Sequence, residues 1–549
     1  MSLNGRLRRY GPLAALVAAV AVVLAAGAVT LARGLSTGSA QSAPGPVLRW
    51  SNEGISDLYT LDPARGPDFN SLQAMQLIFG GLVRFGPHFR ILPDAARHWS
   101  VSPNGLTYTF ALRPGVRFGD GNVLSAADVV YSLNRTLSRQ FADSSGAYLL
   151  SNIVGAPAVV AGHSQSARGI QVLDAHTIRI TLSNPDGSFL AKLANPDGYI
   201  LPPWRVKADP RHWDEHAIGT GPFMVSRWVH GDSLLLIPNP HYYGGTVRLG
   251  GIDMPFIPEP LAAYKSYRAG NLDTMGAVHF PVEALYDARA RSDFHASPRL
   301  ETVFLTLNER GAPFNDVRVR LAFARALDKV TLVRRVWGSF AHPTDGMMPP
   351  GLPGYNPSLP GAHYNPSLAR RLLAQAGYPD GRGLPEIVYP VDEDAQSLVL
   401  ADELARQWRK VLGIRIRLVQ HSHSTYLSLL QNLQYQIAVI DWTDDYPDPE
   451  NFVSQQFHTG SPNNNAGWSN ATFDRLTDSA DSLPAADPTR FMLYRQAEQL
   501  AMSHAVTIPL ANPSAGILLR RTVHGITIDG GYLLVADWTK VSVAPGTGQ

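Results

Sequence analysis

The chain has 549 residues, 47 Lys+Arg against 45 Asp+Glu, and no cysteine. A net charge of +2, spread along the chain, argues against nucleic acid as the partner, because a backbone binder concentrates positive charge on one face. The missing thiols exclude disulfides, thiolate catalysis, Cys-ligated zinc, iron–sulfur clusters and a lipidated N-terminal Cys.

At the N-terminus Arg6, Arg8 and Arg9 precede an uncharged apolar stretch at residues 11–32. Roughly 22 residues at helical rise reach about 33 Å, enough to cross a bilayer core. Two readings stand for residues 1–45. One is an export signal with small-residue cleavage sites at Ala26-Gly27-Ala28 or Gly38-Ser39-Ala40; the other is a retained membrane anchor followed by a Gly/Ser/Pro spacer at 34–46. Either puts everything after Arg33 outside the cytoplasm.

Past residue 46 the pattern is mixed α/β. Alternating stretches predict strands at 107–112, 177–182, 234–237 and 414–419. In 177–182, Ile178, Ile180 and Leu182 share one face. Ser125 and Asp128 form a capping box before Val129, Val130 and Leu133. Asn365-Pro366 opens a helix to about Gln375, stopped by Gly377. Further helices are expected at 316–327 and from Asp402 to about Leu412.

Catalytic patterns are weak. Gly231-Asp232-Ser233-Leu234 matches a short esterase motif, but it sits between two strand-like runs and reads as a hairpin turn. The phosphate loop and the HExxH zinc helix do not occur. His421 and His423 lack helical ligand spacing and read as a solvated loop. No enzyme activity, metal or cofactor is expected.

The most informative segment is 441–450, Asp-Trp-Thr-Asp-Asp-Tyr-Pro-Asp-Pro-Glu, which follows the apolar run 437–440. Five carboxylates, two aromatics and two prolines make a stiff acidic platform at a strand end. A carboxylate partly desolvated beside Trp442 and Tyr446 has a ligand ammonium as its natural counter-ion. At 4 Å and an effective dielectric near 20 the attraction is roughly 4 kcal/mol before desolvation is subtracted, and an aromatic face adds about 0.5–2 kcal/mol. The alternative from composition is a solvated acidic turn whose Asp side chains cap the local backbone.

Several ordered segments carry a resemblance. Thr60-Leu-Asp-Pro63 precedes Ile78-Phe-Gly-Gly-Leu82. Pro93-Asp-Ala-Ala-Arg-His-Trp99 runs through Ser102-Pro-Asn-Gly-Leu-Thr-Tyr-Thr-Phe110 and Leu112-Arg-Pro-Gly-Val-Arg-Phe118 to Ser125-Ala-Ala-Asp-Val-Val-Tyr-Ser132. Ile218-Gly-Thr-Gly-Pro-Phe223, Asn239-Pro-His-Tyr-Tyr243, Pro313-Phe-Asn-Asp-Val-Arg-Val-Arg320 and Tyr364-Asn-Pro-Ser-Leu-Ala369 follow. In this order they resemble the family 5 extracellular solute-binding proteins of ABC importers, the group of dipeptide- and oligopeptide-binding proteins, over about residues 48–545.

The resemblance implies an α/β, two-lobed periplasmic-binding-protein fold of the larger type, with three discontinuous domains and a hinged ligand cleft. The first lobe would use 46–86, 200–300 and 510–549, with an inserted domain at 87–199; the second lobe would be 301–509. The ligand would be a peptide, or an oligosaccharide, nickel chelate or other small solute in the same fold. The partners would be a membrane permease and its ATPase, and the protein a monomer, periplasmic or at the cell surface; a membrane-anchored ligand sensor is the other class of reading. Trp442-Thr-Asp-Asp445 matches the family's Trp-x-x-Asp pattern, so Asp445 would pair with a peptide ammonium, with Asp444 the near alternative. Trp442 and Tyr446 would line the cleft, and Asn464 and Trp468 would supply donors and a wall. The Gly219-Thr-Gly-Pro222 segment reads as a structural or hinge turn.

Overall fold

Local signals set the element ends. The computed structural model describes residues 45–544 apart from 67, 277–279, 339, 531 and 536; the N-terminal apolar stretch lies outside these residues. Asp128 accepts from the Ser125 backbone N–H at 2.8 Å and from its hydroxyl at 2.9 Å, which opens the helix Ala126–Thr136. Asp316 caps Val317–Arg325 and Asn365 caps Pro366–Gln375. The helix expected from Asp402 starts a full two turns earlier, as Ala395–Leu412, because Asp394 accepts from both Gln396 and Ser397 N–H at 2.9 Å. That cap is a strong helix start signal.

The strands also fall close to their sequence patterns. Thr107–Leu112 and Thr177–Thr181 pair antiparallel in a four-stranded sheet, flanked by Ala96–Val101 and Ile170–Asp174. Ile178 and Ile180 are buried there and Arg179 is exposed, as alternation requires. Gly231 adopts φ +77° in the turn between Phe223–Val229 and Ser233–Pro238. The motif around Ser233 is thus a hairpin end, and the Ser233 hydroxyl bonds the neighbouring Asp232 at 2.9 Å. His423 contacts Asp392 at 2.6 Å beside the parallel pair Ile387–Asp392 and Ile416–His421.

Separate apolar cores define the bodies. The first gathers Leu48, Trp50, Phe79, Phe223, Ile252 and Trp538, so three remote chain segments share one interior. Its sheet pairs Val47–Arg49 with Gly251–Ile257, then Ser233–Pro238 and Phe223–Val229. A second core, from Leu82 to Ile200, lies under the four-stranded sheet. Two more cores, drawn almost wholly from residues 300–511, fill the other lobe. There Glu301–Leu307 is buried along its whole length between Ile437–Thr443 and Thr507–Leu519, the pattern of a strand covered on both faces.

The strand Thr507–Leu519 ties the lobes together. Ile508 and Leu510 belong to the second lobe's core, while Ala515 and Ile517 belong to the first. Where the two lobes face each other away from this strand, the contacts include a small apolar group, Leu149, Ala191 and Tyr446, and a cluster of charges. The architecture is a two-lobed α/β fold with a cleft between lobes. Among the described residues no helix is long and apolar enough to cross a membrane.

Candidate functional site

The cleft encloses about 1290 Å³ including its open mouth. Its walls are mainly apolar rings. Phe69 and Phe79 come from the helix Phe69–Ile78 and its end, Phe89 from the turn after Val83–Phe85, and Tyr532 and Trp538 from the C-terminal segment. Phe69 and Tyr532 stack at 5.2 Å, and Phe89 meets Tyr532 edge-on at 6.1 Å, geometries that ring quadrupoles favour. Phe89 is held at φ +53°, where a large side chain is strained. The Asp529 carboxylate accepts from the preceding His88 N–H at 2.7 Å and fixes this turn.

The polar groups lie at two ends. On the first-lobe side Asp94 accepts from Gly81 N–H at 2.9 Å and from the Tyr243 hydroxyl, with Arg84 4.0 Å away. Burial raises the Asp94 pKa, and the Tyr243 hydrogen bond and Arg84 oppose it. Gly219 and Gly221 let the backbone approach Ile78 and Phe79: a Cβ on either would stand 2.2 or 2.6 Å from the Ile78 carbonyl oxygen. Gly221 and Pro222 then form part of the cleft wall, so a segment read as structural also reaches the site.

The second lobe contributes Asp444, Asp445 and Pro447. The strand Ile437–Thr443 runs through Trp442, so the platform begins two to three residues later than the apolar run suggests. Asp444 accepts from the Tyr532 hydroxyl at 2.9 Å. Burial, and then the charge of Asp445, push its pKa up to about 8 against that hydrogen bond. Asp445 is open to the cleft solvent, yet protein surrounds its carboxyl on most sides; this crowding raises its pKa and the Asn451 hydrogen bond opposes it.

Asn451, which the sequence reading missed, organises this loop. Its carbonyl oxygen accepts from the Trp442 indole N–H at 2.9 Å and from Asp445 N–H at 3.1 Å. Its amide donates to Asp445 Oδ2 and to Gln455, each at 3.1 Å. The side chain is fully buried, and all four of its hydrogen-bonding valences are used. The local signal was present, since Pro449-Glu450 opens a one-turn helix that turns Asn451 inward. Tyr532 gave no local signal, because it arrives from 88 residues away.

The other candidates stand behind the wall. Trp442 packs on the second-lobe core and steers Asn451. Tyr446 has no exposed surface; it packs on Leu149 and Ala191, and its hydroxyl bonds Gln455. Asn464 donates to the Trp468 carbonyl at 2.7 Å and accepts from Trp468 N–H at 3.2 Å. It also reaches the Phe457 and His458 carbonyls. Asn464 and Trp468 therefore form a buried loop knot, with the Trp468 ring against Phe473, and they do not face the cleft. An asparagine run beside a tryptophan looks like a ligand edge in sequence, yet here its amide satisfies backbone groups.

Beside the cleft, the lobes meet through charges. Lys192 lies between Asp186 at 2.9 Å and Glu450 at 3.0 Å. The Ser188 hydroxyl also donates to Glu450, and Gly187 N–H reaches the Asp481 carbonyl at 2.8 Å. Arg490 grips Asp448 with two bonds of 2.8 and 2.6 Å. Burial opposes the Lys192 charge, but Glu450 and Asp186 outweigh it and hold its pKa above the ordinary value. Asp481 is pushed well up by burial and by Glu450.

A two-lobed body with an enclosed aromatic cleft is the design of a solute-capturing protein. The model of the bacterial extracellular solute-binding proteins, family 5, matches residues 90–464, and the chain belongs to this family. It is 28% identical over 498 residues to the probable deoxycholate-binding periplasmic protein YgiS of Escherichia coli, covering 88% of this chain and 91% of that one. It is 27% identical over 483 residues to the dipeptide-binding protein DppE of Bacillus subtilis, covering 86% and 87%. The structure of the periplasmic binding protein DppA from Helicobacter pylori, in complex with the peptide STSA, superposes with a TM-score of 0.72 at 26% identity, covering 92% of this chain and 99% of that one.

Proposed function

We propose that the protein captures short peptides outside the cytoplasm and delivers them to an ABC permease driven by a separate ATPase, as a monomer. The observation that carries this reading is the pair Asp444 and Asp445 at one end of an aromatic cleft, each held by a neutral donor rather than by a cation. A peptide ammonium is the matching ligand group, and Asp445, the more open of the two, takes it. Asn451 and Trp442 act as positioning residues for that carboxylate. The rings receive apolar side chains, and the lobes close by a hinge at the strands that join them.

The domain limits proposed are 46–86, 200–300 and 510–549 for the first lobe, 87–199 for its inserted domain and 301–509 for the second lobe. Residues 1–45 serve export, as a cleaved signal or as an anchor.

The names of the relatives pose a choice. DppE is named for dipeptides and YgiS for deoxycholate. Deoxycholate is itself a carboxylate, which the Asp445 charge repels and which brings no cation to either acid, whereas the ring-lined walls alone would suit a steroid. The acidic end therefore favours the peptide.

A thermal-shift measurement on the full-length chain tests the proposal with a di- to pentapeptide pool, the same pool N-acetylated, deoxycholate, and an oligosaccharide panel. At a hundredfold excess over Kd a ligand stabilises by about 2.7 kcal/mol. A shift with the free pool that vanishes on acetylation is the expected result. A shift with deoxycholate or sugars alone would contradict it.

A further inference from the structure

Charge balance at the acidic end leads further, resting on the reading of this cleft as a peptide site. Asp444 and Asp445 are chain neighbours lining one cavity. Tyr532 and Asn451 donate to them without neutralising them. The nearby cations have carboxylates of their own, and Arg299 is only the weakest influence on Asp444. Arg299 pairs with Glu301 at 3.1 Å, Arg84 stands beside Asp94, and Lys192 lies between Asp186 and Glu450. One α-ammonium supplies one positive charge and goes to the open Asp445, so the half-buried Asp444 still requires a second cation or a proton.

We propose that Asp444 is a specificity-determining residue: it makes the cleft select peptides whose first side chain carries a second positive charge, with the α-ammonium on Asp445 and the side-chain cation on Asp444. Arg and Lys meet this requirement. The stacked rings of Phe69 and Tyr532 stand beside Asp444, where they suit the flat guanidinium or the apolar stem of either side chain.

The selection depends on pH. Because Asp444 titrates at about 8 in the empty cleft, it carries a proton at neutral pH. A peptide with one cation leaves that proton in place, and a peptide with two displaces it. The advantage of the dicationic peptide therefore grows as pH rises toward about 8 and levels off above. The other groups facing this pair are Tyr532, the Arg299–Glu301 pair, and on the Asp445 side Tyr148 and Asp197. Burial pushes Asp197 up to about 7, so it titrates in the same window, and the Asp444→Asn variant separates the two.

The test is calorimetry on the full-length protein with Arg-Ala-Ala and citrulline-Ala-Ala, which differ in charge but hardly in shape, at about pH 6 and about pH 8. The α-amine titrates alike in both and cancels in their ratio. The expected affinity ratio favours Arg-Ala-Ala by about fiftyfold at the higher pH and falls toward one at the lower, because a group titrating at about 8 is deprotonated roughly one time in two at about pH 8 and roughly one in a hundred at about pH 6. In Asp444→Asn the ratio falls close to one. A wild-type ratio near one at both pH values overturns the proposal without any variant. A preference that survives in Asp444→Asn also overturns it. Binding of neither peptide would instead bring down the peptide reading itself, which is a separate failure.

Discussion

Two acidic regions lie within ten residues of each other and are built in opposite ways. Asp448 and Glu450 point away from the cleft and are matched by cations, Arg490 with two bonds and Lys192 at 3.0 Å. Asp444 and Asp445 point into the cleft and meet a tyrosine hydroxyl and an asparagine amide. Burying a charge is tolerable only with a partner or a proton. The matched pair holds structure together. The unmatched pair is left for a group that arrives from outside. The same loop thus carries both the joint between lobes and the ligand contact, so closure and capture are mechanically linked.

Removing a cation from the matched region should break the comparison most strongly. Arg490 has no exposed surface, so Arg490→Met leaves Asp448 buried without its partner. Loss of stability by about 3–5 kcal/mol is expected, measured by denaturant unfolding. A cost below about 1 kcal/mol would mean that this ion pair matters no more than a surface one.

A smaller effect is expected at the lobe contact. Lys192→Met frees Asp186 and Glu450 from their shared cation, but opening the lobes lets water reach both. The cost should therefore appear as weaker peptide binding, on the order of tenfold to a hundredfold, with unfolding stability changed by less than about 1 kcal/mol. If affinity holds and stability falls instead, the contact is part of a permanent core and not of a closing joint.

Much of the fold was legible because its signals are local. The Ser125–Asp128 box, the Asn365 and Asp316 caps and the alternation in 177–182 each fix their element with neighbouring residues. The site was legible only in part. The segment 441–450 stood out because five carboxylates in ten residues are unusual and prolines stiffen them, and the resemblance of Trp442-Thr-Asp-Asp445 to the family pattern pointed to Asp445 and Asp444. Which of the five face a ligand was not written there, since it depends on Lys192 and Arg490 arriving from elsewhere to claim Glu450 and Asp448. Tyr446, Asn464 and Trp468 show the reverse case. Their residue types suit a ligand wall, and the chain spends them on packing and on backbone hydrogen bonds. The aromatic walls come from residues 69–89, from Tyr199 and Tyr242, and from 532–538, brought together by a core that no short window of sequence displays.

The most direct test of the central claim is calorimetric titration of one defined free tripeptide into the wild-type chain and Asp445→Asn. This substitution keeps the shape, and the Asn451 contact to the Asp445 backbone N–H remains. Affinity lower by about 1.5–3 kcal/mol, the worth of a hydrogen bond to a charged group, is the predicted result, and the N-acetylated peptide should bind both proteins equally weakly. Equal affinity of the free peptide for both would contradict the account, because the unmatched carboxylate would then not be what the peptide ammonium finds.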